Sequence, residues 1–523
     1  MDKINTSTTI TEEPSYPNHK DAKDLVRGAL VNYLGMLAKT SKVLFIFVAA
    51  RFYGANAIGL YFLAWSTIDI ASKFGLWGMD RSLIRDIARY NADRSVQTKA
   101  KLFGILRFNI SITFCLSLLV TGALMIMSPM IAEGIFKDEN LLVPLRLLAL
   151  ALPFVVLTHA FIAPTKALRI MRYEALIRHG LEPLILLLGT LLLIPFKLGA
   201  IGLVTAHIFA SLVAVSTAAF VLFRKYRYLG WQTEPLSREI KKETIRYTSP
   251  IAAMDVLNLM VARIDILLVG ALLNSTSAGF YGIVVEIISV IKRVSQGFGP
   301  IFAPIVSELF HNKQKERLQR NYVIVTRWLM TGTLLPVLAL VLFPNQILLL
   351  FNIKSSEAVL ALIVLALAHG LLGTFSAAEG LLIMTGKTLL NTLLAGVMLA
   401  VNCAVGVFLI PKIGLVGAAI GTMTAFVFVS GARIFQGYRQ LQLHPFSYSL
   451  LWPLTTAAIT LILFFFLNQW LIVDSLAKTI AVFFMMTIFY TTIYFLGAKE
   501  PEEKHIISKL KNKLKWRPAI MRI

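Results

Sequence analysis

Charged side chains are scarce in this chain of 523 residues: Asp, Glu, Lys and Arg make up only 15% of it, while hydrophobic residues make up 57%. Soluble domains carry about 25% charged residues, so the composition excludes an ordinary water-soluble protein. Apolar runs of about 20 residues, the length that crosses a bilayer, recur from Ala29 to the end of the chain. The sequence therefore predicts an all-α polytopic membrane protein.

Cysteine is almost absent. The two cysteines, Cys115 and Cys403, both lie inside apolar segments, which excludes a disulfide framework and a thiolate metal site. No His, Cys and Asp residues have the spacing of metal ligands, and neither a nucleophile elbow nor a phosphate-binding glycine loop is visible. These absences predict a protein that is not an enzyme and that uses no metal and no cofactor.

A net charge of +23 raises the question of a nucleic-acid partner. Lys and Arg of a membrane protein accumulate on cytoplasmic loops, which explains the charge without nucleic acid. Loops after even-numbered apolar runs carry 24 Lys and Arg, and the other loops carry 6. This asymmetry predicts that both termini are cytoplasmic. The fourteen predicted spans are 28–50, 57–77, 103–128, 143–165, 180–196, 199–223, 248–272, 278–304, 324–344, 357–384, 388–410, 414–436, 448–468 and 477–497.

An internal repeat relates the two halves of the chain. The stretch "AIGLYFLAWSTIDI" resembles "SAGFYGIVVEIISV" at an offset of 220, so that Gly59 corresponds to Gly279 and Tyr61 to Tyr281. Further along, "LIPFKLGAIG" resembles "LIPKIGLVGA" at an offset of 215 to 216. Both copies have the same predicted orientation, and parallel repeats of this kind are common in transporters.

The repeat defines the predicted organisation as two pseudo-symmetric six-helix lobes followed by two additional helices. The predicted segments are a cytoplasmic tail (1–27), an N-lobe (28–223), a cytoplasmic linker (224–247), a C-lobe (248–436), the last two spans (448–497) and a basic cytoplasmic tail (498–523).

Three stretches, "GLYFLAWSTIDIASKFGLWGMDRSLIRDIARY", "RIDILLVGALLNSTSAGFYG" and "LIPKIGLVGAAIGT", resemble the polysaccharide repeat-unit flippases of the multidrug/oligosaccharidyl-lipid/polysaccharide (MOP) exporter superfamily. The resemblance implies two lobes around a central cavity with alternating access. It also implies transport of undecaprenyl-diphosphate-linked oligosaccharide to the periplasmic leaflet of the bacterial cytoplasmic (inner) membrane. A polysaccharide polymerase and a chain-length regulator are then the expected protein partners.

Charges inside the apolar runs concentrate on predicted spans one, two, seven and eight, which in the resembled family line the cavity. A charge at the bilayer centre is costly, so each one needs a structural or functional reason. Fixed cations could replace water around the diphosphate of the cargo, and arginine can bind phosphate oxygens in a bidentate fashion. The residues predicted to bind the diphosphate are Lys39, Lys42, Arg263 and Arg293; those predicted to balance charge or carry a coupling ion are Asp69, Asp265 and Glu286.

Helical geometry refines these assignments. Arg263 and Asp265 are two residues apart, about 200° in projection, so they must face different neighbours. Asp69 and Lys73 have the spacing of an intrahelical ion pair, which is a purely structural alternative for Asp69. Lys292 points about 100° away from the face that Glu286 and Arg293 share, and it is read as extending toward the membrane surface.

Three alternatives remain open at this stage. A multidrug cation antiporter of the same superfamily would favour acids and aromatics in the cavity, whereas basic residues are prominent here. A flippase of the peptidoglycan lipid precursor would share the span count and the cationic cavity. A membrane-embedded polymerase or glycosyltransferase would need a catalytic constellation, and none is visible.

Overall fold

The computed structural model describes residues 40–90, 96–227, 236–470 and 476–497. Within these ranges the chain is helical and contains no strand. The predicted all-α fold is therefore confirmed. In chain order the helices are α1 (Thr40–Phe52), α2 (Gly54–Leu76), α3 (Met79–Tyr90), α4 (Val96–Pro129), α5 (Leu142–Ala149), α6 (Leu152–Ala167), α7 (Arg172–Leu176), α8 (Glu182–Leu193), α9 (Ala200–Tyr226), α10 (Arg238–Leu272), α11 (Ser275–His311), α12 (Lys315–Leu342), α13 (Pro344–Leu350), α14 (Ser356–Thr374), α15 (Ser376–Met384), α16 (Thr388–Ile413), α17 (Leu415–Leu441), α18 (Leu451–Trp470) and α19 (Leu476–Leu496).

Ten helical segments in the described ranges are long and apolar enough to cross a membrane, and they coincide with predicted spans three to six and nine to fourteen. The other four predicted spans correspond to α1, α2, α10 and α11. The helices α2, α10 and α11 contain 23, 35 and 37 residues, more than the roughly 20 that a bilayer requires. These helices carry the charges singled out from the sequence.

Two helices extend beyond their predicted spans. The helix α10 begins at Arg238, so the predicted linker 224–247 is helical over its last ten residues. The Ser237 hydroxyl starts this helix by accepting a hydrogen bond from the Ile240 amide at 3.3 Å. After α10 the chain reverses within two residues, and the Asn274 side chain caps α11 by accepting from the Ser277 amide at 2.8 Å. This tight turn holds α10 and α11 side by side.

Repeat-related glycines adopt the same backbone conformation. Gly199 has φ +56° and ψ −135°, and Gly414 has φ +61° and ψ −137°. A side chain would be strained at these positive φ values, which explains the glycine in both copies. The two hairpins of the sequence repeat are therefore alike in structure as well as in sequence.

The helix α2 lies at the centre of the molecule and packs against α10 and α11 from the other half of the chain. The largest core of buried apolar side chains surrounds this contact and includes Tyr61, Leu63 and Tyr281. The final pair of helices packs against α12 through a separate apolar cluster. Within it the Tyr490 hydroxyl donates to the Thr331 carbonyl at 3.0 Å.

Candidate functional site: a central charge cluster

Four charged side chains from α1, α2, α10 and α11 meet between the two halves. We call Lys42, Asp69, Arg263 and Glu286 the central charge cluster. Arg263 lies nine residues before the end of α10, and Glu286 lies eleven residues after the start of α11. These separations correspond to about 14 and 17 Å along the helices, roughly half of a 30 Å hydrocarbon core. The cluster therefore sits near the middle of the helical bundle.

Arg263 is the hub of the cluster. Its Nε and Nη2 atoms donate to Oδ2 of Asp69 at 3.2 and 3.0 Å, and its Nη1 lies 3.9 Å from Oε1 of Glu286. The side chains of Arg263 and Asp69 are only 14% and 19% exposed. Asp69 pairs with α10 of the opposite half, and among the described residues it forms no ion pair with Lys73. The intrahelical alternative for Asp69 is therefore wrong.

Lys42 completes the cluster and is its most accessible member. Its Nζ donates to Oε1 of Glu286 at 2.7 Å, and its side chain is 44% exposed whereas that of Glu286 is 13% exposed. The cluster contains two cations and two carboxylates, so each cation is already paired. An incoming anion can bind Lys42 and Arg263 only by competing with the carboxylates of Asp69 and Glu286.

Asp265 faces away from this cluster, as its angular separation from Arg263 requires. Its Oδ1 accepts a hydrogen bond from the Ile266 amide at 2.9 Å, and its Oδ2 accepts from the Tyr281 hydroxyl at 3.3 Å. The Tyr281 hydroxyl also reaches Thr422 on α17. Asp265 thus lies in a buried polar group of the C-terminal half.

The two remaining predicted site residues, Lys39 and Arg293, and the neighbouring Lys292 lie in three different situations. Lys39 falls outside the described residues. Arg293 is half-buried two turns beyond Glu286 and forms no ion pair within the described part of the chain. Lys292 was assigned to the membrane surface, but it is half-buried and its charge acts on both Asp265 and Glu286. Lys292 thus lies within electrostatic range of carboxylates on both α10 and α11, a proximity that a helical projection of α11 alone does not show.

A second buried group lies beside the cluster in the N-terminal half. The Tyr61 hydroxyl hydrogen-bonds Nδ1 of His207 on α9 at 2.8 Å, and the imidazole packs against Trp65 with ring centres 4.2 Å apart and ring planes tilted by 35°. At the offset of 215, His207 corresponds to Thr422, the residue that Tyr281 reaches. Each tyrosine of the repeat therefore contacts the equivalent helix of its own half.

The two halves also touch on either side of the cluster. Toward the predicted periplasmic side, Gly59 of α2 packs against the backbone of Ser275 and Gly279. Toward the predicted cytoplasmic side, the Trp77 indole donates to the Ser249 hydroxyl at 3.3 Å. The central charge cluster therefore lies between two contacts, one of α2 with α11 and the other of α2 with α10.

Beyond Trp77, the short helix α3 extends the contact on the predicted cytoplasmic side. Arg85 on α3 lies 3.7 Å from the carboxylate of Glu243 and places its guanidinium 3.9 Å from the centre of the Tyr247 ring. Arg89 lies 3.7 Å from the same carboxylate. These contacts tie the N-terminal half to the first turns of α10.

Comparisons with known proteins match this chain to one protein family and to one curated protein. The family described as polysaccharide biosynthesis protein matches residues 48–351, more than half of the chain. Stage V sporulation protein B of Bacillus subtilis (strain 168) is 30% identical over 111 residues, and this match spans about a fifth of each chain (21%).

Solved structures match over most of the length. The lipid II flippase MurJ in an inward closed conformation has a TM-score of 0.69 at 13% identity, covering 90% of this chain and 97% of that chain. An inward-facing multidrug resistance MATE family transporter of the MOP superfamily has a TM-score of 0.63 at 17% identity, covering 77% and 94%. The chain therefore has the fold that this lipid II flippase and this MATE family transporter share.

Proposed function

Because the chain belongs to the polysaccharide biosynthesis protein family, we propose that it is a flippase for undecaprenyl-diphosphate-linked oligosaccharide. It moves repeat units from the cytoplasmic to the periplasmic leaflet of the bacterial inner membrane, with both of its termini in the cytoplasm. The observation that carries the proposal is Arg263, held at mid-depth between Asp69 and Glu286 by helices of both halves. A buried arginine at this depth suits an anionic group that must cross the membrane.

The pairing within the cluster suggests how the cargo binds. A diphosphate entering the site takes over Arg263 and Lys42, since phosphate oxygens form charge-assisted, bidentate hydrogen bonds with a guanidinium. The displaced carboxylates of Asp69 and Glu286 are then left without their cations in a poorly solvated site. Because a lone buried carboxylate is costly, it favours uptake of a proton or another cation. Cargo binding and ion binding are thereby coupled through the same four side chains.

Alternating access follows from the positions of the two contact points. The helix α2 contacts α11 on the predicted periplasmic side of the cluster and α10 on the predicted cytoplasmic side, so separating either contact exposes the charges to one side of the membrane. The occupied site opens to one leaflet at a time in this scheme. A polysaccharide polymerase and a chain-length regulator would receive the cargo on the periplasmic side.

A second candidate cargo is the lipid precursor of peptidoglycan. The match to the lipid II flippase over 90% of the chain favours a peptidoglycan lipid precursor as the alternative. Its diphosphate would use the same cations, so the two cargoes differ in their sugars alone. A multidrug cation is less well supported, because Lys42, Arg263 and Lys292 would repel it.

The experiment is flipping in proteoliposomes that contain the full chain, with lipid-linked oligosaccharide and lipid II offered separately. We expect the oligosaccharide to be flipped at least tenfold faster than lipid II, and Arg263→Ala to abolish its movement. Lys197→Ala removes an exposed cation at a helix end and serves as the matched control, with unchanged rates. Equal rates for wild type and Arg263→Ala would overturn the proposal, and faster movement of lipid II would establish the second cargo.

A further inference from the structure

A cleft lies on the outer surface of the N-terminal half, between α4 and α9 and distant in sequence from the central charge cluster. Its volume is about 560 Å³, within the range of roughly 300–1,000 Å³ that is typical of ligand sites. Its walls are apolar: Phe103, Leu106 and Ile110 come from α4, and Leu222 and Phe223 from α9. We call it the α4–α9 cleft.

Two arginines line the same cleft. Arg107 stands on α4 among the apolar wall residues, and Arg227 immediately follows the last residue of α9. Both side chains are exposed, and neither forms an ion pair within the described part of the chain. None of the described residues that line the cleft is acidic. Within the described part of the chain, the cleft therefore combines an apolar wall with positive charge that no carboxylate pairs.

The position of the cleft in the membrane is set by its own helices. Residues 103–111 of α4 span about 12 Å, and α9 ends where the polar loop predicted to be cytoplasmic begins. The apolar wall of the cleft thus lies in the part of the hydrocarbon core nearest the predicted cytoplasmic surface. Arg227 lies at the level of the lipid headgroups on that side. Arginine can also extend its guanidinium from a helix toward that level, which brings Arg107 to the same layer.

The floor of the cleft is fixed by α6. The Tyr226 hydroxyl donates to the Pro164 carbonyl at 2.8 Å, and both α4 and α9 pack against α6. This bond holds the end of α9, and with it Arg227, in place relative to the apolar wall. The cleft is consequently a preformed feature of the N-terminal half.

We infer that the α4–α9 cleft binds one anionic glycerophospholipid, with its phosphate at Arg107 and Arg227 and the upper part of an acyl chain along the apolar wall. An apolar wall alone would accept any membrane lipid, whereas two unpaired arginines at headgroup level select a lipid with net negative charge. The site is separate from the proposed transport site, because it shares no residue with the central charge cluster.

The test measures lipid binding to the purified full chain in detergent by native mass spectrometry, with phosphatidylglycerol and phosphatidylcholine as probes. We expect phosphatidylglycerol to occupy one tight site, and Arg107→Gln with Arg227→Gln to weaken that site about thirtyfold. Each single substitution should weaken it about fivefold. The matched control is Lys101→Gln with Arg224→Gln, which removes one cation from each of the same helices outside the cleft and should leave the site intact.

A thermal-melting series checks that the loss reflects binding and not unfolding. Without lipid, the Arg107→Gln/Arg227→Gln protein should melt with wild type, and only wild type should gain stability from phosphatidylglycerol. Arg263→Ala should keep the lipid site. The inference is overturned if phosphatidylcholine binds wild type equally well, or if the control variant loses as much affinity. Displacement of phosphatidylglycerol by undecaprenyl phosphate would overturn it too, since the cleft would then belong to the cargo.

Discussion

Gly59 on α2 and Gly279 on α11, 220 residues apart in the sequence, lie against each other where the two helices cross. A Cβ atom built on either glycine would stand 3.0 Å from the backbone nitrogen of the other. Reciprocal contacts between equivalent residues are what a twofold relation produces. The crossing of α2 and α11 therefore lies near the axis that relates the two halves, on one side of the central charge cluster.

We predict that Gly59→Ala and Gly279→Ala each impair this crossing. The added methyl group would collide with the Ser275 carbonyl in the first case and with the Ala55 carbonyl in the second. Because backbone atoms cannot move aside as a side chain can, the cost should be about 1–3 kcal/mol. The expected results are a melting temperature lowered by several degrees and flipping reduced at least tenfold.

Matched controls for these substitutions are Gly122→Ala and Gly396→Ala. A Cβ atom at either position meets nothing within 4 Å, and alanine favours a helix over glycine by about 1 kcal/mol. Both should melt at or above the wild-type temperature with normal flipping. If Gly59→Ala and Gly279→Ala behave like these controls, the crossing is looser than the geometry indicates.

The repeat shows how far the fold could be predicted from the sequence. The offsets paired Gly59 with Gly279 and Gly199 with Gly414, and the structure gives each pair either a mutual contact or a common backbone conformation. The lengths of the apolar runs were enough to locate ten of the spans, because hydrophobicity is a local property of each segment. The start of α10 at Arg238 was missed, since a polar, water-exposed helix carries no apolar pattern to mark its beginning.

Removing the hub of the central charge cluster should destabilise the protein. Arg263→Gln leaves Asp69 without its partner, and breaking a buried ion pair costs about 3–5 kcal/mol. Adding Asp69→Asn to that variant removes the stranded charge, so the double variant should recover most of the lost stability. Flipping should remain absent in both, because the guanidinium that binds the diphosphate is missing from both. Melting temperature and flipping, measured on the same preparations, test the two effects separately.

A purely structural role for Arg263 would give a different pattern. The double variant would then recover flipping together with stability, which would contradict the proposed binding role. Arg263→Lys is a useful third measurement, since lysine keeps the charge but loses the bidentate geometry. We expect this variant to melt close to wild type and to flip cargo about tenfold more slowly.

The members of the cluster could be found from the sequence, but their pairing could not. Arg263, Asp69 and Glu286 were visible as charges inside apolar runs, and each charge there needs a reason. Which charges meet depends on the rotation of each helix and on its neighbours, and no single helical projection contains that information. For this reason the spacing of Asp69 and Lys73 indicated an intrahelical pair, whereas Asp69 pairs with Arg263 on α10.

The contact between α3 and α10 should control opening on the predicted cytoplasmic side. Glu243 is 54% exposed, so its ion pair with Arg85 contributes only about 0.2–1 kcal/mol, and the stacking on Tyr247 adds about 0.5–1 kcal/mol. Arg85→Ala should therefore shift the balance toward the open form by about fivefold. Spin labels at the exposed positions Arg81 and Arg246 should report a larger population at long distance. Lys242→Ala, an exposed neighbour of Glu243, is the control and should leave the distances unchanged.

Substitutions of Asp265 and Glu286 should distinguish ion coupling from cargo binding. Glu286 belongs to the central charge cluster, whereas Asp265 is hydrogen-bonded to the Ile266 amide and the Tyr281 hydroxyl. Asp265→Asn keeps one side-chain oxygen for the Ile266 amide, its NH2 group can donate to the Tyr281 hydroxyl oxygen, and the negative charge is removed. We expect this variant to stay folded, to bind lipid-linked oligosaccharide with unchanged affinity and to keep the acceleration of flipping by an imposed pH gradient, because the proposed coupling carboxylates are those of Asp69 and Glu286. Glu286→Gln frees Lys42 and should bind the cargo several-fold more tightly. Loss of gradient-driven flipping in Asp265→Asn, with cargo binding intact, would contradict this assignment and would make Asp265 the coupling acid.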